Sequence, residues 1–565
     1  MAELNSWVVT KVKKQVATQI MNRAKLGFCA VALALAGCGQ DKPVAPSSEA
    51  LAKLVPPTEA SKGWYYAGQN KIAEKAQSVG PLAGKGKARN VILFVGDGMG
   101  VSTITAARIY AGQQLGKLGE EHELSFDTMP FAGLSRTYNT DQQTPDSAGT
   151  MTAMITGVKT RAGVLSISED VVPNHCGSGK GHELFTALEL AELSGKATGI
   201  VTTARVTHAT PGATYAKSAQ RDWEDDSELS AEAKAAGCED IAKQLITFET
   251  RLKSVASEQY VDNVNGIEVI MGGGRRHFLP RDAAFNTPDA SKKIEGKRND
   301  DANLIAEWQA QHPQGQVVFG KAAFDKLAPN AQSHVLALFS ESHMRYGADR
   351  GADKLGEPTL AEMTDKAIDL LKQDQDGFFL MVEAGRIDHA HHEGNAYNAL
   401  AETVELSDAV AVALEKTSAE DTLIIVTADH SHVFTMAGYP ARGNPILGKV
   451  RTGSGKLILD ENGLPFTTLG YHNGMGFANI VDGEGERGAI NVGRHDISDI
   501  DTEHRGYHQE ALVPLESETH GGEDVAIYAR GPGAVLVSGS HEQNVIFHVM
   551  DYAAGLTQSA AKAVR

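Results

Sequence analysis

Val91-Ile-Leu-Phe-Val95 is a wholly apolar run, and Asp97 follows it two positions later. Short runs rich in β-branched and aromatic residues are typical of buried strands. Two further runs are each followed by a carboxylate: Phe378-Phe-Leu-Met-Val382 by Glu383, and Leu423-Ile-Ile-Val426 by Asp429. Because ligand sites in open α/β sheets collect at the carboxyl ends of strands, we expect these three carboxylates to meet at one edge of a sheet.

Elsewhere the chain alternates short β-branched runs with longer helical patterns, which is typical of α/β proteins. We therefore predict a large central, mostly parallel sheet flanked by helices on both faces. Residues 440–507 depart from this pattern because they are rich in glycine and turns. We interpret them as an insertion, either a lid or an oligomer contact, before Asp524-Val-Ala-Ile-Tyr528 restores a core strand.

Size and charge limit the possible classes of protein. A chain of 565 residues exceeds what one hydrophobic core usually organises, which favours one large catalytic domain with insertions, assigned to residues 81–565. With 71 acidic and 53 basic residues the net charge is −18. This balance argues against broad electrostatic binding to nucleic acid or to an anionic membrane surface.

Residues 1–37 are predicted to be a signal region. Met21-Asn-Arg-Ala-Lys25 is positively charged, and the apolar stretch at 26–35 resembles the hydrophobic part of a secretory signal. That stretch is too short to span a membrane as a mature helix. Residues 1–20 would then be an unusual upstream extension. The sequence predicts an exported protein, periplasmic or at the cell surface.

Leu35-Ala-Gly-Cys38 looks like the lipobox of bacterial lipoproteins, in which the cysteine becomes the lipidated first residue. Residues 38–80 would form a lipid-tethered linker and N-terminal segment, with membrane contact through the anchor at Cys38. Gly39 favours the outer membrane, by resemblance to sorted lipoproteins. The alternative is a cleaved soluble signal with an incidental cysteine.

Of the four cysteines, Cys29 belongs to the signal region and Cys38 to the lipobox, which leaves Cys176 and Cys238. An even pair in an oxidising compartment favours a disulfide. A zinc site is the less favoured interpretation, because neither residue belongs to a Cys-x-x-Cys pair.

Further potential ligands follow the three strand ends. Asp388 and His392 are four residues apart and share one face of a helical turn, while His430 adjoins Asp429. Carboxylates held this close repel one another unless cations neutralise them. Mixed Asp/His groups suit zinc, and groups of oxygen ligands suit magnesium.

Each motif also has an alternative interpretation. Gly96-Asp-Gly-Met-Gly100 resembles a dinucleotide loop but lacks the Gly-x-Gly-x-x-Gly spacing. The histidines at 389, 391 and 392 could form a merely polar helix face, and Asp429-His430 an ordinary turn at a strand end. The coincidence of three strand ends favours a common site.

A nucleophile candidate lies in Thr144-Pro-Asp-Ser147-Ala-Gly-Thr150. Proline and aspartate before a helical pattern mark a helix start, where backbone amides and the helix dipole favour an anion. Small residues after Ser147 leave room for a phosphoryl group. The alternative is that Ser147 or Asp146 serves only as an N-cap.

Several blocks of the sequence, taken in order, resemble the alkaline phosphatases. They span roughly residue 88 to the C-terminus, and some details look closer to the animal-type branch. The blocks are Val95-Gly-Asp97-Gly-Met-Gly100, Asp146-Ser147-Ala-Gly-Thr150, Ile200-Val-Thr-Thr-Ala-Arg-Val-Thr-His-Ala-Thr-Pro211, Glu383-Ala-Gly-Arg-Ile-Asp388, Thr427-Ala-Asp-His430 and Thr519-His-Gly-Gly522.

The resemblance implies two zinc ions and one magnesium ion beside Ser147, with Arg221 gripping phosphate oxygens. Arg221 could otherwise be a surface ion pair with Asp222 or Asp225. The implied ligands are Asp388, His392 and His520 for the first zinc; Asp97, Asp429 and His430 for the second; and Asp97, Glu383 and Thr210 for magnesium. His208, His389 and His432 match positions next to these ligands.

The implied activity is hydrolysis of small phosphate monoesters through a phosphoserine at Ser147, with a broad substrate range. The resemblance also implies a homodimer in which residues 440–507 form the crown-like insertion. A phosphodiesterase, a sulfatase or a lipoprotein that captures phosphate or metal without turnover are the alternatives. The segment Asp146-Ser147-Ala-Gly149 lacks the Cys-x-Pro-x-Arg-like context of sulfatases.

Overall fold

The computed structural model describes residues 47–328, 334–478 and 494–565. The predicted signal region and Cys38 lie outside the described residues. The strands are β1 (Asn90–Gly96), β2 (Phe131–Arg136), β3 (Ala197–Arg205), β4 (Val269–Gly273), β5 (Gln316–Val318), β6 (Val335–Leu338), β7 (Phe378–Ala384), β8 (Thr422–Ala428), β9 (Ser431–His432), β10 (Phe434–Met436), β11 (Leu469–Gly474), β12 (Ala511–Pro514), β13 (His520–Gly521), β14 (Val525–Arg530) and β15 (Gly539–Glu542).

Helices occupy much of the remaining described chain. They are α1 (Ser48–Leu54), α2 (Glu59–Val79), α3 (Val101–Gln114), α4 (Ser147–Thr156), α5 (Ala187–Leu193), α6 (Ala209–Tyr215), α7 (Ala231–Ala235), α8 (Ile241–Val255), α9 (Leu304–Gln311), α10 (Lys321–Phe324), α11 (Leu360–Leu371), α12 (Arg386–His392), α13 (Ala396–Lys416), α14 (Val545–Ala554) and α15 (Leu556–Ala563). Within the described ranges, none of these helices combines the length and hydropathy needed to cross a membrane.

Ten strands of the described chain form one sheet in the order β15-β2-β14-β8-β1-β7-β3-β4-β6-β5. From β8 to β5 all neighbours are parallel, whereas β14 pairs antiparallel with β8 and with β2. Buried apolar residues cover both faces of the sheet under the helices. The predicted α/β fold with a mostly parallel sheet is confirmed.

The three apolar runs singled out in the sequence are neighbouring parallel strands. β1 lies between β7 and β8, with Val95 paired to Glu383 on one side and to Thr427 on the other. Every residue of β7 and β8 is buried. This register brings the ends of the three strands to the same level, so Asp97, Glu383 and Asp429 emerge side by side.

The N-terminal segment contributes a long helix, α2, to the folded body. Thr58 and Ser61 form a capping box at its start, which satisfies backbone amides that would otherwise lack partners. Its buried face, including Tyr65 and Ile72, packs against α14. The two helices come close together at Gly68, where a Cβ atom would lie 2.4 Å from the His548 ring.

The predicted insertion at 440–507 is described in two pieces, 440–478 and 494–507. Those pieces contain turns, isolated bridges and β11, and they contain no α-helix. β11 pairs with β10 and β12 in a separate three-stranded sheet. The core strand predicted after the insertion is β14.

The predicted disulfide between Cys176 and Cys238 is present, with the two Cα atoms 6.5 Å apart. It joins a 3-10 turn to the segment after α7, and both cysteines pack near Trp223 in a small apolar cluster. The bond closes a loop with a sequence separation of 62. A loop of that length corresponds to a stabilisation of about 4 kcal/mol if the bond acts by restricting the unfolded chain.

Candidate metal centre

Carboxylates and imidazoles gather at the carboxyl edge of β8, β1 and β7. Asp97, Glu383 and Asp429 are completely buried there, and His430 is buried beside them. The short helix α12 follows β7 and brings Asp388 and His392 to the same edge, and the two-stranded β9–β13 ribbon adds His520. The residues that the sequence placed together are therefore close in space.

The first group consists of Asp388, His392 and His520. The two Nε2 atoms of the histidines are 3.0 Å apart, and they lie 3.3 and 3.4 Å from Asp388 Oδ1. Zinc binds imidazole nitrogen at about 2.0–2.1 Å with tetrahedral geometry, which sets ligand atoms about 3.3 Å apart. The spacing of these three atoms fits a zinc ion.

Hydrogen bonds on the far side of each imidazole fix which nitrogen faces the group. His392 Nδ1 donates to the Glu518 carbonyl at 2.6 Å, and His520 Nδ1 donates to the Pro145 carbonyl at 2.7 Å. Because a carbonyl oxygen can only accept, each neutral ring directs its Nε2 lone pair into the group. Such outer hydrogen bonds are the usual support of metal-ligating histidines.

The second group consists of Asp97, Asp429 and His430. His430 Nε2 lies 3.4 Å from Asp97 Oδ1 and 3.3 Å from Asp429 Oδ2. The other oxygen of Asp429 accepts hydrogen bonds from the backbone amides of Gly98 and His430. These bonds hold the carboxylate so that Oδ2 faces the group, again at distances that suit zinc.

Ser147 lies at the second group, as the first residue of α4. Its Oγ atom is 3.1 Å from His430 Nε2 and 3.4 Å from Asp97 Oδ1. The capping role belongs to Asp146, whose carboxylate accepts from the Gly149 amide. The serine hydroxyl is thus not used as a cap, and it points at the carboxylate and imidazole that the sequence paired with it.

The third group contains three buried oxygens that lack a well-directed hydrogen bond within the described residues: Asp97 Oδ2, Glu383 Oε1 and Thr210 Oγ1. Burial raises the pKa of Glu383 to about 7, although the nearby hydroxyls of Thr202 and Thr210 lower it. Orphaned oxygens in a buried site fit a hard cation such as magnesium. His208 completes this cluster of possible ligands, with Asp97 and Glu383.

Arg221 points toward this edge rather than pairing with Asp222 or Asp225. Its guanidinium donates to Asp146 Oδ2 and to His208 Nε2, both at 3.2 Å. Burial lowers the pKa of Arg221, but the charges of Asp146, Asp97 and Asp388 outweigh this effect and raise it. The planar guanidinium is therefore held charged beside the groups that would otherwise repel a phosphate.

The remaining predicted histidines lie next to these three groups. His432 Nε2 is 2.8 Å from Asp388 Oδ1, and its Nδ1 is 2.5 Å from Glu518 Oε2. Although burial lowers the pKa of His432, the carboxylates of Glu518 and Asp388 raise it to about 10. The rings of His208 and His389 have centroids 5.4 Å apart, and His208 lies beside the third group.

Sequence reasoning missed two residues at this edge, Glu518 and His343. Glu518 supports both His392 and His432, and its place two residues before His520 was the only signal for it. His343 contacts His389, with ring centroids 4.0 Å apart and the ring planes tilted by 55°. His391 is not part of a polar helix face, because it is buried and contacts Thr103 and Tyr471.

The concentration of buried carboxyl groups at this edge of the sheet favours the binding of cations. Burial raises the pKa of Asp97 well above its usual value, and the charges of Asp429, Asp388 and Glu383 raise it further. Carboxylates in this arrangement hold protons unless positive ions replace them. Fold and site together define the class of protein: an α/β metalloenzyme with a serine hydroxyl at the ligand cluster.

Comparisons with known proteins identify the family. The model of the family described as Alkaline phosphatase matches residues 88–556. Tissue-nonspecific alkaline phosphatase of Rattus norvegicus is 44% identical over 469 residues, covering 82% of this chain and 83% of the relative. An alkaline phosphatase of Gadus morhua is 43% identical over 491 residues, covering 86% and 96%. The chain belongs to the alkaline phosphatase family and is a phosphomonoesterase.

Solved structures agree on the fold. Alkaline phosphatase of Thermus thermophilus has a TM-score of 0.55 at 24% identity and covers 85% of this chain and 95% of its own. The enzyme of the Antarctic bacterium TAB5 has a TM-score of 0.53 at 20% identity, covering 83% and 99%. The resemblance drawn from the ordered motifs is confirmed.

Removing bound metal is expected to destabilise the folded protein, because Asp97, Glu383 and Asp429 would be left buried without counter-ions. A ligand at a thousand times its dissociation constant stabilises a protein by about 4 kcal/mol, so chelation should lower the free energy of unfolding by at least that order. Guanidinium unfolding followed by circular dichroism, before and after chelation, measures the change. Chelator already saturated with zinc and magnesium is the control, and identical unfolding curves would contradict the expectation.

Proposed function

We propose that this enzyme hydrolyses phosphate monoesters through a phosphoserine at Ser147, using two zinc ions and one magnesium ion. The products are inorganic phosphate and an alcohol, and the substrate range is broad. The observation that carries the proposal is the position of Ser147 Oγ, 3.1 Å from His430 Nε2 and 3.4 Å from Asp97 Oδ1. A hydroxyl there lies beside the imidazole and a carboxyl of the second group, at the N-terminus of α4.

The donor sets support the assignment of the ions. The two groups that combine carboxylate with imidazole suit zinc, and the group with orphaned oxygens of Asp97, Glu383 and Thr210 suits magnesium. When bound, the ions supply Lewis-acid stabilisation of the serine oxygen, the phosphoryl oxygens and the departing alcohol. Asp97 belongs to both the second and the third groups, one carboxyl oxygen to each. The positions of the ions in these two groups would therefore depend on each other.

The residues of the chain account for the steps. Ser147 Oγ loses its proton and attacks phosphorus in line, a bond from Oγ to phosphorus forms, and the bond to the substrate's alcohol oxygen breaks, with the departing oxygen taking up a proton to leave as the alcohol. Water then attacks the phosphoserine, releasing phosphate and returning a proton to Ser147. Arg221, held by Asp146 and His208, offers two N–H groups to phosphate oxygens. Because these contacts involve phosphate alone, the alcohol part of the substrate is not selected.

Replacing Ser147 with alanine should lower kcat for p-nitrophenyl phosphate by at least about 1,000-fold, since the covalent route is lost. Ser135→Ala is the matched control, because Ser135 is a completely buried serine of β2 whose hydroxyl has no hydrogen-bond partner among the described residues. That control should keep activity within about two-fold. Equal activity of Ser147→Ala and the wild type would remove Ser147 from its assigned role.

We also propose that the enzyme is a homodimer joined through the sheet β10-β11-β12 and the crown-like insertion. Apolar side chains exposed there support this: Tyr439 is 97% exposed and Leu512 is 76% exposed. Large apolar side chains grouped on a surface mark interaction sites.

Sedimentation of the purified enzyme should therefore give twice the mass of one chain, and Leu512→Glu should shift the equilibrium toward the monomer because a charge would be desolvated in the interface. Leu82→Glu, at a residue that is 71% exposed on the connection after α2, is the control and should leave the mass unchanged. A wild-type protein that is monomeric at micromolar concentration would contradict the proposal.

The remaining part of the proposal concerns location. The charged and apolar stretches before Leu35-Ala-Gly-Cys38 support export as a lipoprotein, with the outer membrane favoured. Cys38→Ser should move the enzyme from the membrane fraction to the soluble fraction, whereas Cys29→Ser should not. Fractionation with mass spectrometry of the N-terminal peptide measures both, and an unmodified Cys38 in the mature protein would refute the anchor.

A further inference from the structure

Glu224 is buried three positions after Arg221, and it belongs to none of the three metal-binding groups. Its Oε2 atom accepts hydrogen bonds from Arg205 Nε at 2.8 Å and from Thr207 Oγ1 at 2.6 Å. Its Oε1 atom accepts from Arg205 Nη2 at 2.6 Å. His277 Nε2 lies 3.3 Å from Oε2, so this one carboxyl group is in contact with three other side chains.

Both the arginine and the threonine lie on the connection from β3 to α6. β3 ends at Arg205, and Thr207 directly precedes His208. The same connection supplies Thr210, so it carries two of the residues of the third group. Glu224 thus joins the segment that contains the phosphate-binding arginine to the segment that contains these residues.

Residues 221–224 belong to no helix or strand, so their position depends on individual contacts. The carbonyl of Glu224 accepts from the Ala242 amide at 3.1 Å, which ties the segment to the start of α8. Toward the metal centre the links are made by side chains, and Arg221 donates to His208 Nε2 at 3.2 Å. Rotation of the long arginine side chain would break this single bond, whereas the Glu224 carboxyl group holds the connection through several hydrogen bonds at once.

Glu224 also balances charge next to the third group. Although burial raises the pKa of Glu224, its neighbours His277 and Arg205 lower it below its usual range, so the carboxyl group is ionised. The Arg205 carbonyl accepts from the His208 amide at 2.9 Å, which places this arginine beside the third group. An unpaired guanidinium there would repel a cation bound to that group.

We propose that Glu224 is a positioning residue that holds the Arg221 guanidinium and the residues of the third group at a fixed separation. The inference rests on the proposed function, which assigns phosphate to Arg221 and magnesium to the third group. Glu224 itself touches neither of them. Its loss weakens the binding of both, because the two segments are then free to move apart and Arg205 is left without its counter-charge.

The test compares Glu224→Gln with Glu295→Gln, because the two carboxyl groups have matching surroundings. Glu295 is also buried, and it accepts from Arg275 Nε at 2.8 Å and from Thr287 Oγ1 at 2.7 Å. None of these three residues belongs to the metal centre. Each substitution removes one buried charge that is bound by an arginine and a threonine, so a purely structural effect would be the same in both proteins.

Titration calorimetry measures the two affinities without hydrolysis of a substrate. Inorganic phosphate is titrated into the protein loaded with zinc and magnesium, and magnesium is titrated into the protein loaded with zinc alone. Glu224→Gln should weaken each affinity by at least about 10-fold, the usual effect of losing a residue that supports metal ligands. Glu295→Gln should leave both within about two-fold of the wild type.

Affinities of Glu224→Gln that match those of Glu295→Gln would overturn the positioning role, and so would a weakening of only one of the two ligands. Wild-type protein that binds neither phosphate nor magnesium would overturn the proposed function together with this inference. Normal binding by the wild type with an unaffected Glu224→Gln would overturn the inference alone.

A second variant keeps the test decisive if Glu224→Gln does not fold. Thr207→Val removes one hydrogen bond from Glu224 with little change of shape, and it should weaken both ligands by at least about three-fold. Thr198→Val is its control, because Thr198 is a buried threonine of the same strand, β3, whose hydroxyl donates to Glu192 at 3.0 Å. Equal affinities in these two variants would also overturn the proposal.

Discussion

Mutual repulsion of buried carboxylates is the constraint on which this structure depends. Three neighbouring strands end at one level and deliver Asp97, Glu383 and Asp429 to a region without solvent. Ionised carboxylates held so near one another destabilise the folded protein when no counter-ion is present, because burial and mutual repulsion both disfavour the charged form. The fold is therefore stable with these side chains ionised only if cations occupy the groups, and this ties the folding of the protein to its chemistry.

The same requirement explains the outer layer of hydrogen bonds. An imidazole can bind a metal only through a nitrogen that carries no proton. The Glu518 and Pro145 carbonyls accept hydrogen bonds from Nδ1 of His392 and His520, which leaves Nε2 of each ring free of a proton. Backbone amides around Asp429 do the same for a carboxylate oxygen. These hydrogen bonds fix the positions of the charged and polar groups before the substrate binds. Such preorganisation is the main way in which a protein can stabilise the transition state of phosphoryl transfer.

Helix α4 extends from the metal centre at its N-terminus to α14 and α2 at its C-terminal end. Its first residue is the proposed nucleophile, its cap Asp146 also holds Arg221, and its C-terminal end lies against α14. All of its residues are buried, so it has little freedom to move independently. The N-terminal helix α2 reaches the same region through Gly68, where only the absence of a side chain permits contact with His548.

Local patterns in the sequence were enough to predict the strand ends, the helix that begins at Ser147, the shared helical face of Asp388 and His392, and the α/β class, because each depends on the spacing of near neighbours. The ordered motifs added the family. Only the tertiary structure determined which residues complete the site. Glu518 forms a hydrogen bond with His432, Arg221 donates a hydrogen bond to Asp146, and the His343 ring contacts the His389 ring. These contacts join residues far apart in the chain, so no local periodicity encodes them, and they arise only when the sheet and its connections bring separate segments to one edge.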